Sequence, residues 1–345
     1  VSYATPGSRR TPVRQLCDRL RASRTAVLTT HVNADGDGTG CEAAVASWLR
    51  ANGTEAWIVN PTPYPDAFRF LLENEDWVLP AGGRRAREVC GRADLAVVLD
   101  TGEVPRIGRV RSLIRDVPTV VIDHHPQGDR PIGGLSLRDP DACATGELVY
   151  DLILQAKGPW PAAAVRGLYV AILTDTGGFR FSNSTDRCHE VVADLIRRGA
   201  DPEELHGRVY GASPMRKYRI MEKALATLEN DEEYGLAWMT IPRDMYDRLG
   251  ATPDDLEGMV DIPRGVEGVN VGLLFRTTTE GEVKVSFRSN GAVDVNEVAR
   301  KFDGGGHVRA SGAMLPGPLD EAIPKVIEAT REAVRDTLFP GGVKA

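Results

Sequence analysis

The sequence predicts an α/β chain: a doubly wound, mainly parallel sheet followed by a second, smaller α+β domain. Three observations predict it. Short apolar runs recur through the first half and are apolar or β-branched throughout, not alternating, as in strands buried on both faces of a parallel sheet. Helical stretches that stop at glycine separate them, so strand and helix alternate. Beyond residue 231 that alternation gives way to paired strands and two terminal helices.

Taken in order, the strand candidates of the first part are residues 26–30, 56–59, 95–99, 119–122 and 168–173. Helices are predicted over 39–51, ending near Asn52-Gly53, over 145–157, ending at Gly158, and over 185–198, ending at Gly199. Residues 201–230 are charged and helical, with no strand. Then come strands over 235–241, 269–278 and 282–289, and helices over 295–302 and 319–338. The expected domains are 11–195 (catalytic), 196–232 (a helical linker) and 233–338 (substrate-binding).

A chain of 345 residues with 42% hydrophobic and 26% charged residues buries large cores without staples, which excludes disordered, collagen-like and disulfide-scaffold classes. Against 49 Asp and Glu stand 42 Lys and Arg, a net charge of −7. That balance argues against a grip on long duplex nucleic acid, which needs a basic stripe. It is compatible with a short anionic substrate held by a few residues and a metal. Cys17, Cys41, Cys90, Cys143 and Cys188 show no C-x-x-C spacing, so the thiols are expected to be reduced and the protein cytoplasmic. No apolar run approaches the length of a membrane span, and residues 1–14 have no apolar signal core.

The residues just past each strand candidate carry the chemistry. The first ends in His31-Val-Asn-Ala-Asp35-Gly-Asp37, the 95–99 run in Asp100, the 119–122 run in Asp123-His124-His125, and the 168–173 run, after Thr174, in Asp175. Open parallel sheets bind ligands at the carboxyl ends of their strands. Five Asp and three His gathered there without Lys or Arg would repel one another, and divalent cations are the natural compensation. Mixed carboxylate and imidazole ligands suit Mn2+, Fe2+ or Co2+, admit Mg2+, and disfavour structural zinc. Eight groups exceed what one ion needs, so two ions roughly 3.5–4 Å apart, sharing an Asp, are expected. Other motifs fail: an EF-hand begun at Asn33 puts Ala44 at its bidentate Glu, Gly36, Gly38 and Gly40 do not spell G-x-G-x-x-G, and there is no P-loop Lys and no G-x-S-x-G elbow.

A second cluster is Phe302-Asp303-Gly304-Gly305-Gly306-His307, followed by Ala310-Ser311-Gly312. Consecutive glycines let backbone N–H groups approach an anion. Upstream, Ser286-Phe287-Arg288-Ser289 closes a strand with an arginine suited to phosphate.

Together these residues resemble the DHH phosphoesterase superfamily over about residues 11–338, most nearly its nanoRNase or oligoribonuclease/pAp-phosphatase branch. The matching motifs are His31-x-x-x-Asp35-x-Asp37, Asp100, Asp123-His124-His125 and Asp175 in Leu173-Thr-Asp175-Thr-Gly-Gly-Phe179, then Gly304-Gly305-Gly306-His307-x-x-Ala310-Ser311-Gly312 of a DHH-associated domain. The resemblance implies two divalent ions, Mn2+ first and Mg2+ or Co2+ as substitutes. His31, Asp35 and Asp100 would hold one, and Asp37, Asp100, His124 and Asp175 the other, with Asp100 bridging. Asp123 and His125 would be catalytic, Asp123 orienting a neighbour and His125 facing the scissile phosphate. Arg288, Ser289, Gly304, Gly305, Gly306 and His307 would hold substrate. Two positions depart from the pattern: Ala34 where proline is common and Asp303 where a fourth glycine is common.

The resemblance implies hydrolysis of short single-stranded oligonucleotides (nanoRNA), and of 3′-phosphoadenosine-5′-phosphate; hydropathy and charge point to neither membrane nor long duplex as partner, and a homodimer is left open. One alternative is a phosphodiesterase for linear or cyclic dinucleotides of the pApA or c-di-AMP type. A reading from another class is a non-catalytic nucleotide sensor, which would have no need of both ions.

Overall fold

The computed structural model describes residues 3–211, 213–256 and 258–338. The chain falls into two compact units, Val1–Ala212 and Ser213–Ala345, divided inside the stretch that the sequence assigns to a linker.

In the first unit β1 (Thr25–Thr29), β2 (Glu55–Asn60), β3 (Val78–Pro80), β4 (Leu95–Leu99), β5 (Thr119–Asp123) and β6 (Leu135–Arg138) form one sheet in the order β3-β2-β1-β4-β5-β6. Every pairing in it is parallel. Its helices are α1 (Gly7–Arg21), α2 (Gly36–Ala51), α3 (Arg84–Arg92), α4 (Val110–Leu113), α5 (Thr145–Gln155), α6 (Ala162–Asp175), α7 (Asp186–Arg197) and α8 (Pro202–His206). Side chains alternate between two cores. Leu28, Val97 and Leu99 pack with α1, α2, α5, α6 and α7, whereas Val27, Ala96 and Val98 pack with α3 and α4. Burial on both faces is why these strands read as unbroken apolar runs. The connections run outward in opposite directions from β1 and β4, so the crevice of this sheet opens at the carboxyl ends of those two strands.

One expectation fails. Residues 168–173 are not a strand but the second half of α6. The helix is buried along most of its length, and an all-apolar buried helix looks like a buried strand to a periodicity argument. Gly40 of α2 and Gly167 of α6 allow the close approach: a Cβ on either would strike the carbonyl oxygen of the other. Asp175 therefore enters from a helix C-terminus and not from a strand end.

The second unit holds α9 (Met215–Leu225), β7 (Glu229–Asp231), β8 (Leu236–Ile241), α10 (Arg243–Leu249), α11 (Asp261–Arg264), β9 (Val271–Thr277), β10 (Val283–Ser289), α12 (Val295–Arg300), β11 (Gly305–His307), β12 (Ala310–Leu315) and α13 (Leu319–Leu338). Its sheet order is β11-β12-β10-β9-β8-β7, antiparallel except for β8 beside β9. One face packs on α12 and α13; the other is covered over β8 and β9 by residues of α9, α10 and α11. The 201–230 stretch, expected to lack strands, ends in the short edge strand β7, whose Glu-Asn-Asp sequence carries no apolar signal.

Candidate metal centre and anion-binding face

The centre is assembled by the ends of β1, β4 and β5 and by three helix termini. His31 lies just past β1. Asp35 caps α2, its Oδ1 accepting the N–H groups of Asp37 and Gly38, both at 3.1 Å. Asp37 occupies the first turn of that helix, where a carboxylate is favoured by the dipole. Asp100 follows β4 directly with φ of +58°, a left-handed conformation that Asp tolerates better than most residues. Asp123 ends β5, and His124 and His125 come next.

The two oxygens of Asp100 face different groups. Its Oδ2 lies 3.2 Å from His31 Nε2, which is also 3.6 Å from Asp35 Oδ2. Its Oδ1 lies 3.8 Å from His124 Nε2 and 3.6 Å from His125 Nδ1. His124 Nε2 in turn is 3.9 Å from Asp37 Oδ2 and 3.6 Å from Asp175 Oδ2. Two sets thus converge tightly enough to hold an ion each, His31 with Asp35 and Asp100, and Asp37 with His124 and Asp175; Asp100 also converges with His124 and His125. His31 Nδ1 donates to the Val32 carbonyl at 2.9 Å, which points Nε2 inward, and that buried nitrogen makes no hydrogen bond.

The electrostatics fit a cation. Burial, and then the charges of Asp100, Asp175 and Asp35, push Asp37 well above the usual carboxylate range. Burial and the charges of Asp100 and Asp35 do the same to Asp175, which also sits at the unfavourable end of its helix dipole. Burial would raise Asp100 too, but the nearby His31, His125 and His124 together hold it low. His31 is pushed up to about 10: burial opposes its charge, but Asp100 and Asp35 overcome that. Two buried carboxylates raised by neighbouring charge, and an imidazole with an unsatisfied nitrogen between two other carboxylates, fit the donor chemistry of divalent metal.

His125 differs from the other two histidines. Its Nδ1 is 2.8 Å from Asp123 Oδ1, which also accepts the His125 backbone N–H at 3.1 Å. Its side chain is 23% exposed, against 5% for His31 and 8% for His124, so it is the imidazole a substrate can reach.

Four residues of the centre carry no obvious signal in the sequence. Thr145, at the start of α5, donates its hydroxyl to Asp100 Oδ1 at 2.9 Å and its N–H to Asp37 Oδ2 at 2.7 Å. The next N–H, of Gly146, reaches Asp37 Oδ1 at 2.9 Å. A helix N-terminus aimed at carboxylates is an ordinary anion site, and the predicted helix start at 145 was the available clue. Arg138 places Nη2 3.5 Å from Asp123 Oδ2, in space that only a glycine at 102 leaves open. Asn183 donates from Nδ2 to the carbonyls of Cys143 at 2.8 Å and Asp175 at 3.2 Å.

In the second unit, Arg288 is half-buried on β10, with Arg264 and Asp261 as charged neighbours; burial lowers its pKa, Asp261 opposing and Arg264 adding. The backbone of Arg264 lies over Gly272, the residue that β9 pairs with Arg288. Ser289 does not accompany Arg288: it turns into the core, buried, and its Oγ accepts the Gly291 N–H at 3.3 Å. The glycines divide too. A Cβ at Gly304 would strike Gly312 and at Gly306 would strike Ala310, so packing of β11 on β12 demands both. At Gly305 the nearest atom would be Asn296 Oδ1 at 3.8 Å, and nothing in the fold requires a glycine. His307 is exposed beside it, and Asp303 has φ of +57°, a left-handed conformation that glycine adopts freely and Asp tolerates.

A carboxylate and imidazole centre at the switch point of a doubly wound sheet makes this an α/β protein with the donor groups for divalent metal. Comparison with known proteins agrees. Residues 25–172 match the DHH family, N-terminal domain, and residues 239–336 match the DHHA1 domain. The bifunctional oligoribonuclease and PAP phosphatase NrnA of Thermus thermophilus is 35% identical over 307 residues, covering 88% of this chain and 89% of that protein. The cyclic-di-AMP phosphodiesterase GdpP of Geobacillus thermodenitrificans is 26% identical over 363 residues, covering 98% of this chain and 52% of that protein. A solved exopolyphosphatase-related protein from Bacteroides fragilis shares the fold, with a TM-score of 0.86 at 24% identity over 95% of this chain and 97% of its own. This chain belongs to the DHH family of phosphoesterases. Among the described residues no helix is long and apolar enough to cross a membrane.

Proposed function

We propose that this protein hydrolyses phosphoester bonds of very short single-stranded oligonucleotides and of 3′-phosphoadenosine-5′-phosphate, with two divalent cations, Mn2+ in the first place. The observation that carries this reading is the placing of the two oxygens of Asp100 toward two separate ligand sets. His31, Asp35 and Asp100 would hold one ion, and Asp37, Asp100, His124 and Asp175 the other. Bound there, such a pair supplies a nucleophile at neutral pH and neutralises charge on phosphoryl oxygens.

The chain's own groups do the rest. Thr145 and Gly146 fix Asp37, and the Thr145 hydroxyl orients Asp100. Asp123 engages His125 at Nδ1, so a proton given to the leaving oxygen departs from Nε2. Arg288, Gly305 and His307 of the second unit are read as groups that take phosphate and base of the substrate. The similarity to the NrnA proteins favours short RNA and pAp as substrates. Five free, buried cysteines fit a reducing compartment, and we place the protein in the cytoplasm.

The similarity to a cyclic-di-AMP phosphodiesterase favours linear or cyclic dinucleotides as a second reading. One panel separates the two: 5′-phosphorylated RNA of two to ten nucleotides, pAp, pApA and cyclic dinucleotides, each with Mn2+ and with EDTA. Fastest turnover on RNA of two to four nucleotides with measurable pAp release supports the first reading. Turnover confined to cyclic or adenine dinucleotides replaces it with the second. Full activity in excess chelator rules out both.

A further inference from the structure

One ring nitrogen of His125 has two carboxylates within reach. Its Nδ1 lies 2.8 Å from Asp123 Oδ1 and 3.6 Å from Asp100 Oδ1. The first contact suits a proton donor. The second would add the ring to the metal ligands, since Asp100, His124 and His125 also converge closely enough to hold an ion. The choice between them depends on how firmly the Asp123 carboxylate is held. The last torsion of an aspartate side chain is broad, so a fixed carboxylate plane needs contacts on both oxygens. Oδ1 has the His125 backbone N–H at 3.1 Å. Oδ2 has Arg138.

Arg138 closes β6, the edge strand, and lies beside Asp123 in the parallel register of β5 and β6. Ile122 and Leu137 enter the core on one face of the sheet, which leaves Asp123 and Arg138 together on the other. Arg138 Nη2 is 3.5 Å from Asp123 Oδ2, and among the described residues Asp123 is its one ionic partner. The arginine side chain is only 16% exposed, and its Nη1 is buried with no hydrogen bond. A pair that gives up this much water for one contact is a poor source of stability. The space for it is made at Gly102, just past β4, where a Cβ would fall on Arg138 Nη2 and come within 3.0 Å of Asp123 Oδ2. Gly102 has no left-handed φ, so the backbone does not ask for glycine there. The strand end is anchored by the next residue: Asp139 donates its N–H to the Asp123 carbonyl at 3.3 Å, and its Oδ2 accepts from Arg9 Nε at 2.5 Å.

We infer that Arg138 is a positioning residue for the hydrolysis: it pins the Asp123 carboxylate from the far side, so that Oδ1 stays on His125 Nδ1 and the imidazole stays away from the metal ligands. Gly102 is the glycine that admits it. This inference rests on the reading of His125 as the proton donor of a phosphoester hydrolase. It makes a demand that a merely structural arginine would not make. The loss should grow with the need of the leaving oxygen for a proton. A departing ribose oxygen needs one, whereas p-nitrophenolate is a stable anion and leaves without it.

The test compares full-length wild type, Arg138→Met and Gly102→Ala on a 5′-phosphorylated RNA dinucleotide and on bis-p-nitrophenyl phosphate, with Arg138→Met also made in the His125→Ala background. For Arg138→Met, kcat on the dinucleotide should fall about tenfold, the lower end for outer partners that orient a functional group. KM and metal content should stay at the wild-type level, and hydrolysis of bis-p-nitrophenyl phosphate should fall far less. Without His125 the same substitution should cost nothing further, because the two act as one unit. Gly102→Ala, which displaces the guanidinium, should reproduce the selective loss, and melting temperatures check each fold. Equal losses on both substrates, no loss on the dinucleotide, or a full additional loss without His125 would overturn the proposal. Nitrogen-15 NMR of histidine-labelled protein reads the contact without turnover, the His125 signals being those that vanish in His125→Ala. The Nδ1–H signal of wild type should weaken in Arg138→Met, and an unchanged signal would also overturn the proposal. Wild type that cleaves no nucleotide, yet loses this signal with Arg138, would keep the contact and sink the functional reading. Wild type that cleaves RNA with signal and substrate ratio both indifferent to Arg138 would do the reverse.

Discussion

Replacing Thr145 by valine tests how the centre is held without touching any expected metal ligand. The substitution preserves shape and leaves the backbone N–H on Asp37 Oδ2 in place, so Asp37 keeps its support. It removes one buried interaction, the hydroxyl that donates to Asp100 Oδ1 at 2.9 Å. A hydrogen bond to a charged group contributes roughly 1.5–3 kcal/mol, and each 1.4 kcal/mol or so is tenfold in affinity. The loss should therefore weaken metal binding roughly 10- to 100-fold, the range usual for partners that orient a ligand. Mn2+ activation curves on a dinucleotide give the half-saturating concentration directly, and turnover at saturating Mn2+ should fall far less than that concentration rises, because the ligands remain. Thr145→Ser keeps the hydroxyl and should restore the wild-type curve. A valine variant with an unchanged half-saturation point would show that Asp100 is positioned by its strained backbone alone and that the hydroxyl is incidental.

Asp100→Ala should strip both ions and cost at least ~10³-fold in kcat, while His125→Ala should cost about 10²-fold with metal content at the wild-type level by elemental analysis; metal loss in the His125 variant would make it a ligand. Arg288→Ala should lower kcat/KM on dinucleotides by one to two orders of magnitude and hydrolysis of bis-p-nitrophenyl phosphate far less; equal losses would assign Arg288 to the fold or to the chemical step. Glu42, buried on α2 with Oε2 accepting from Asn60 Nδ2 at 2.9 Å, is pushed up to about 8 by burial, against the pull of that hydrogen bond and of His31. The folded state then holds a proton that the unfolded state releases, so this group's contribution to stability falls as pH rises from about 4.5 to about 8. Glu42→Gln should be progressively more stable than wild type across that window in urea melts, and a difference independent of pH would refute the burial argument.

Much of the fold was legible because burial leaves a signature in composition. The β1, β2, β4 and β5 runs are unbroken apolar stretches since both faces are covered, and α2, α5 and α7 end within two residues of the predicted helix ends. The same signature misleads at 168–173. There the covering is complete around a helix, and the two glycines that let α6 lie against α2 are 127 positions apart in sequence, Gly40 and Gly167. Short edge elements escaped for the opposite reason. β7 has three polar residues, and β11 is two glycines and a histidine, so neither offers an apolar pattern to read.

The candidate centre was more legible than the fold that builds it, because ligand chemistry constrains residue type more than backbone form does. His31, Asp35, Asp37, Asp100, His124 and Asp175 converge although Asp175 arrives by a helix and not by a strand. What stayed hidden is whatever acts through generic groups. Thr145 is one threonine among many until its hydroxyl and N–H are seen on two different carboxylates. The glycine run shows the converse, a motif that mixes two physical demands. Gly304 and Gly306 are glycine because β12 lies against them, and their presence says nothing about an anion. Only Gly305 has open space where a side chain would be, so the argument for phosphate approach narrows to that residue and its exposed neighbour His307. Asp303 then ceases to be an anomaly. Its φ of +57° asks for a residue that tolerates the left-handed region, and aspartate meets that demand. Its acidity matters only through its distance from Gly305, two residues along the chain.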